Sequence, residues 1–269
     1  MKKYSEYSKW LIIVREKNDE YFEVVKEIIP TFLQYSKNCA HKKTIPVLFV
    51  FHAHLSTLKN AIIDISEEDN MYSVKALYRI FLEHWLKGTY IWVRYAKEKN
   101  DDVGVEYNSL GRVAEEFKYG NSLKQVSAML DAESKNLDVW DTLCKCDPSL
   151  NKFNKAKIKE NIRKFEYKSI AKYLIDNKAP GVNWVPMIIS EYAELSSFVH
   201  GGPSASAQYS STLYKKQFEE YQGMIRFSFN TCRAFAFLVF TLMLKEPAYL
   251  KDEKIVSLIH KLQDINGII

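Results

Sequence analysis

Apolar residues recur along this chain at spacings of three and four over long runs, the period of an amphipathic α-helix rather than the alternation of a strand. Tyr4 to Arg15 and Asp19 to Asn38 read as two helices. Asn18-Asp19 supplies a break and a cap between them, and Phe22, Val25, Ile28, Ile29 and Phe32 form the apolar set of the second, which Pro30 is expected to bend or interrupt. Ile45 to Ile65 opens with Pro46 in its first turn, where a missing N–H costs nothing, and continues through Leu55, Leu58, Ile62 and Ile65. The strongest pattern runs from Tyr72 to Lys97, free of proline, with Val74, Leu77, Phe81, Trp85 and Trp92 as one set. Val103 to Tyr119 and Ser122 to Cys144 form a less apolar pair, followed by short basic helices from Lys155 to Lys164 and from Tyr167 to Asn177. Lys178-Ala-Pro-Gly-Val-Asn183 is the clearest punctuation. Beyond it Trp184 to His200 is helical, Gly201 to Ser211 is a small-residue loop, Leu213 to Leu244 is a long core helix, and Tyr249 to Asp264 closes the chain. The pattern predicts an all-α fold: one domain of 269 residues, a multi-helix bundle with long antiparallel core helices and a more polar, basic helical insertion near residues 100–180.

Composition supports that architecture. Nine glycines and seven prolines are few for a sandwich or barrel with many tight turns. Forty-seven per cent hydrophobic residues against 26% charged is a globular balance that excludes wholesale disorder. The longest apolar run, Ala234 to Leu244, lies between Arg233 and Lys245 and is short of the roughly 20 residues a spanning helix needs, so a buried helix is expected and no membrane role. The first residues lack the apolar stretch and cleavage site of a signal peptide. Together with Cys39, Cys144, Cys146 and Cys232, read as reduced thiols, this predicts a cytoplasmic protein. Cys-x-Cys without a second pair or a nearby histidine is not a zinc pattern, and no cofactor or metal is expected.

Charge redraws the picture in one place. From Lys152 to Lys172 eight basic residues face Glu160 and Glu166, a local excess of 8 − 2 = +6 that exceeds the whole chain's net +5. Lys155, Lys157, Lys159, Arg163 and Lys164, interleaved with Phe153, Phe165, Tyr167 and Tyr173, have the composition of a nucleic-acid-binding segment. A solvated lysine-rich surface has the same composition.

Candidate chemistry lies on two helices. Arg79 and Glu83 are four apart and share a face. Tyr192, Ser196 and His200 are spaced four and four, which stacks a phenol, a hydroxyl and an imidazole along one side of a helix. His200 precedes Gly201-Gly-Pro203, so it also reads as the residue that closes the helix. Arg79 and His84 are separated by about 140° on an ideal helix and would not converge on one phosphate.

Arg-x-x-x-Glu on one long helix, followed about a hundred residues later by Tyr-x-x-Leu-Ser-x-x-x-His on another, resembles a bacterial family of helical domains of unknown function met among defence-associated genes. The matching residues are Arg79, Glu83, Tyr192, Leu195, Ser196 and His200, within residues 45–245. The arrangement is also similar, more distantly, to the HEPN superfamily of helical ribonucleases, marked by an Arg followed by a His four to six residues on; Arg79-Ile-Phe-Leu-Glu-His84 has that spacing, with Ile80 where a polar residue is usual. These resemblances imply an RNA-acting effector, a metal-independent endoribonuclease toxin of antiphage or stress defence. In it Arg79 holds a phosphate, His200 is general acid or base, Glu83 orients them, and Tyr192 and Ser196 complete the site. The same five residues also read as a polar network that fixes helix register in a non-catalytic module that binds a partner protein, for instance from a neighbouring gene, or forms a homo-oligomer.

Overall fold

The computed structural model describes residues 2–130, 136–179, 181–203, 214–265 and 267–268. Among them the chain is a multi-helix all-α bundle with no strand. In order the helices are α1 (Lys2–Asn38), α2 (Thr44–Glu67), α3 (Met71–Glu98), a single turn α4 (Asp102–Val105), α5 (Gly111–Leu130), α6 (Val139–Cys146), α7 (Lys155–Lys164), α8 (Tyr167–Asp176), α9 (Val185–Val199), α10 (Tyr214–Phe240) and α11 (Glu253–Asp264), with a further single helical turn at Pro247–Leu250 between the last two.

Polar side chains set many of the starts. Asn70 accepts from the Ser73 amide before α3, Asn154 from Ala156 before α7, and Asp252 from Lys254 and Ile255 before α11. The start of α2 borrows its cap from elsewhere: the Asp101 carboxylate accepts from the amides of Lys43 at 3.0 Å and Thr44 at 2.9 Å. Two expected breaks are absent. Helix α1 runs unbroken for 37 residues through Asn18-Asp19 and Pro30. Pro30 lies on the exposed side, where water can satisfy the carbonyl it strands, and Asn18 is drawn to the buried Lys59 ammonium instead of capping. The buried line of α1 is Tyr21, Val25, Ile28, Phe32 and Tyr35, while Phe22 faces solvent. Helix α5 likewise continues through Gly120, whose missing Cβ would lie 2.6 Å from Val139 Cγ1; this glycine allows close packing on α6 rather than ending a helix.

Helices α2, α3 and α10 form the centre of the bundle, with α1, α8, α9 and α11 around them. The expected apolar core helix is α10, extended by a tighter turn at Thr241–Lys245. Gln217–Lys245 is the one stretch among the described residues long and apolar enough to cross a bilayer, and 56% of that window is buried against other helices. Helices α5 to α7 build a second, small core from Val113, Ala114, Phe117, Val139, Trp140, Leu150 and Ile158. Its attachment to the bundle includes a π-type turn at Glu106–Leu110. There Glu106 meets Arg94 and, at 3.0 Å, Lys164, while the Asn161 amide donates to its carbonyl at 3.1 Å. The loop expected from Gly201 to Ser211 lies outside the described residues beyond Pro203.

Candidate functional site

Helices α3 and α9 run antiparallel along one seam. Tyr72 donates to the Val199 carbonyl at 3.1 Å, the Lys75 ammonium lies 5.1 Å from the Phe198 ring centre, and Tyr78 donates to Glu191 at 3.4 Å. Arg79 comes next. Its Nη2 donates to the Tyr192 hydroxyl at 2.9 Å, and its guanidinium carbon lies 4.7 Å from the centre of the Tyr192 ring. On that ring's other contact, Tyr167 at the start of α8 stacks at 4.4 Å with 19° between planes.

Glu83, one turn along α3, is held by Lys87 at 2.7 Å. Burial pushes the Glu83 carboxyl up, but the hydrogen bond and charge of Lys87, helped by Arg79, bring it net below its ordinary value. Tyr192 is raised, first by burial and then by the Glu83 charge, with Arg79 opposing. Among the described residues no carboxylate lies within ion-pair distance of Arg79, and its buried Nε has no hydrogen-bond partner. The result is a half-buried cation clamped on a phenol, coupled to Glu83 through space rather than by a direct ion pair.

The seam therefore joins Arg79, Glu83 and Tyr192, and adds Lys87 and Tyr167. Ser196 sits one turn further along α9, half-buried, and its carbonyl accepts the His200 amide at 3.2 Å. His200 is exposed and lies eight residues beyond Tyr192, about 12 Å along the axis at 1.5 Å per residue. Because α9 runs antiparallel to α3, His200 lies level with Tyr72 rather than Arg79. Its local role is visible in the backbone. Gly201 is left-handed at φ 72°, its amide donates to Phe198 at 3.1 Å, and the Gly202 amide donates to Ser197 at 2.9 Å. That is the Schellman closure, with His200 as the last half-helical residue.

His84, five residues from Arg79 on an unbroken α3, points to the other side. Its Nδ1 is 2.9 Å from the Ile80 carbonyl oxygen and its ring packs 5.2 Å from His54 of α2. Burial and then the neighbouring His54 lower its pKa, against the Ile80 carbonyl. The two residues of the HEPN-like spacing thus face different helices.

Of the basic candidates, Lys155 is paired with Asp138 at 2.6 Å, and Lys164 with Glu106 at 3.0 Å and Glu160 at 3.3 Å. Lys157, Lys159 and Arg163 are exposed, as are Lys168 and Lys172 on α8. Arg163 and Lys168 are exposed and are near neighbours of Tyr167 in sequence, four residues before it and one after. Lys87 was legible in sequence as the third member of the four-residue series Arg79, Glu83, Lys87. The Tyr167 contact was not, because it depends on how α8 docks on α9.

Away from the seam the bundle buries a second polar group. The Lys59 ammonium lies 4.3 Å from the Tyr21 ring centre and 5.5 Å from that of Phe229, with Asn18 as its hydrogen-bond acceptor. Tyr21 Oη is 2.7 Å from His52 Nε2 and 3.5 Å from Cys232 Sγ. Among the described residues no group of three or more His, Cys, Asp or Glu side chains is placed to hold a metal ion. A comparison of the chain with protein-family models, with curated proteins and with solved structures finds no match.

Proposed function

We propose that the protein is an RNA-binding effector that holds a single strand across the α7–α8 surface and the adjoining α3–α9 seam. The observation that carries this reading is the Arg79–Tyr192–Tyr167 stack, with Tyr167 at the start of α8 between the exposed basic residues of α7 and α8 in sequence. A guanidinium without a carboxylate partner attracts phosphate, exposed lysines neutralise the backbone in a salt-dependent way, and tyrosine rings offer faces on which bases stack. Proton transfer requires a general acid or base within hydrogen-bond reach of the reacting atoms. The place of His200, about 12 Å along α9 from Tyr192, favours binding over cleavage by these residues. The resemblance described above supplies the setting, bacterial defence in the cytoplasm, where the RNA is.

The test is fluorescence anisotropy with a labelled single-stranded RNA across a salt series. Arg79→Ala or Tyr167→Ala is expected to weaken binding by about tenfold or more, the scale of one lost charged hydrogen bond or one base stack. Removing both Arg163 and Lys168 lowers the slope of log affinity against log salt by roughly 1.4, at about 0.7 per phosphate contact on a single strand. His200→Ala leaves affinity unchanged. Absence of salt-dependent RNA binding by the native chain overturns the reading, and cleavage that vanishes in His200→Ala with the fold intact restores the ribonuclease one. The interaction-module reading is favoured by a separate feature, the outer face of α5.

A further inference from the structure

In a surface helix the apolar side faces the core and the polar side faces water. The first half of α5 obeys this: Val113, Ala114 and Phe117 pack on the small core. Beyond Phe117 the arrangement inverts. Tyr119, Leu123, Val126 and Leu130, spaced four, three and four, all face solvent, Tyr119 at 67% exposure and Leu130 at 86%. Met129, at 84%, widens the patch. The residues turned partly inward are Gly120, Asn121, Lys124, Ser127 and Ala128. Lys124, the one charged residue between Tyr119 and Leu130, lines a cleft with Asp138, Lys155 and Lys159 instead of joining the patch.

We propose that this face of α5 is the contact through which two copies of the chain pair about a two-fold axis. The spacing is that of a coiled-coil seam, in which side chains at intervals of three and four meet their equivalents on a second helix. The face has no outward charge between Tyr119 and Leu130, so two identical faces meet without repulsion, while RNA and anionic lipid find no cation there. Five such side chains leave on the order of 600 Å² of mostly apolar surface in water per copy, the top of what a monomer's largest patch shows. Two copies would cover about 1,200 Å², enough for a specific interface at the lower end of its range. With the helices antiparallel, Leu123 of each copy lies over Val126 of the other and Tyr119 over Leu130, an isologous contact that closes at two subunits. The proposal is independent of RNA binding, since the cationic surface and the Arg79 seam lie on other helices.

Sedimentation equilibrium of the full chain tests it. The native protein is expected to be a dimer at micromolar concentration. The double variant Leu123→Glu, Val126→Glu is expected to be monomeric, with a dissociation constant raised by about a hundredfold or more. Because both positions are exposed, its circular dichroism and melting should match the native protein. Val50→Glu, at an exposed apolar residue on α2, serves as the control and should leave the dimer intact. A native chain that stays monomeric, or a double variant as dimeric as the native protein, overturns the proposal; a monomer that uses this face to capture a different protein overturns it equally.

Discussion

Lys59 is 1% exposed in a seam of α2 that also holds Leu48, His52, Leu55, Ile62 and Ser66. Its charge is held by a side-chain amide and two aromatic faces, and burial lowers its pKa. His52, about two turns away, is also buried, and desolvation followed by the Lys59 charge brings it down to about 3 from the ordinary 6.5. The unfolded chain therefore takes up a proton near pH 6.5 that the folded protein refuses until about pH 3. Since the unfolded state then binds more protons, stability falls as pH drops through this window, by about 1.4 kcal/mol per unit from this one residue. Urea unfolding at pH 7, 6 and 5 measures it, and His52→Phe should flatten the part of the slope that His52 contributes. An unchanged slope in that variant removes His52 as its origin. The α2 seam is readable as a four-three-four-three-four series from Leu48 to Ser66, but periodicity drawn on apolar letters alone passes over its polar members.

At the scale of elements, helices were legible wherever a long run kept one apolar stripe, because a buried stripe needs the same period whatever it packs against. The joints were less legible. Asn18-Asp19 and Gly120 carry the residue types of a cap and a stop, yet the first is taken up by Lys59 and the second by close contact with Val139. Glycines separate by surroundings in the same way. A Cβ on Gly104 would lie 2.5 Å from the Lys43 carbonyl carbon and the Thr44 nitrogen, backbone atoms at the α2 terminus that Asp101 caps, whereas one on Gly223 within α10 would meet nothing within 4 Å. Gly104→Ala is expected to destabilise the protein by about 1–3 kcal/mol through overpacking. Gly223→Ala is expected to stabilise it by about 0.5–1 kcal/mol by removing a helix-interior glycine. Thermal melts of the two variants moving in the same direction would contradict this account.

For the molecule as a whole, the division into a large bundle core and a small one sets the order of opening. Seven buried residues hold α5 to α7 together, whereas the bundle core joins α1, α2, α3 and α8 to α11. Local opening is easiest where few apolar contacts are broken. Native-state hydrogen exchange should therefore show the amides of α5 to α7 exchanging well before those of α2, α3 and α10. Equal protection in both regions would show that the ties from Arg94 and Lys164 to Glu106 make one cooperative unit of them.

The chain by itself determined the all-helical class, most of the helices and the placement of Arg79 and Glu83 on one face of α3, because these follow from periodicity and spacing within a single element. Only the tertiary structure decided which faces meet. It set Arg79 on Tyr192, Tyr167 behind both, His84 toward α2, and His200 two turns away as a helix terminus. The direction of α9 relative to α3 settles those neighbours, and no spacing within either helix encodes that direction. The outward turn of Tyr119, Leu123, Val126 and Leu130 is of the same kind. Their spacing predicts an apolar stripe and therefore burial; that the stripe faces water depends on which side of α5 the small core takes.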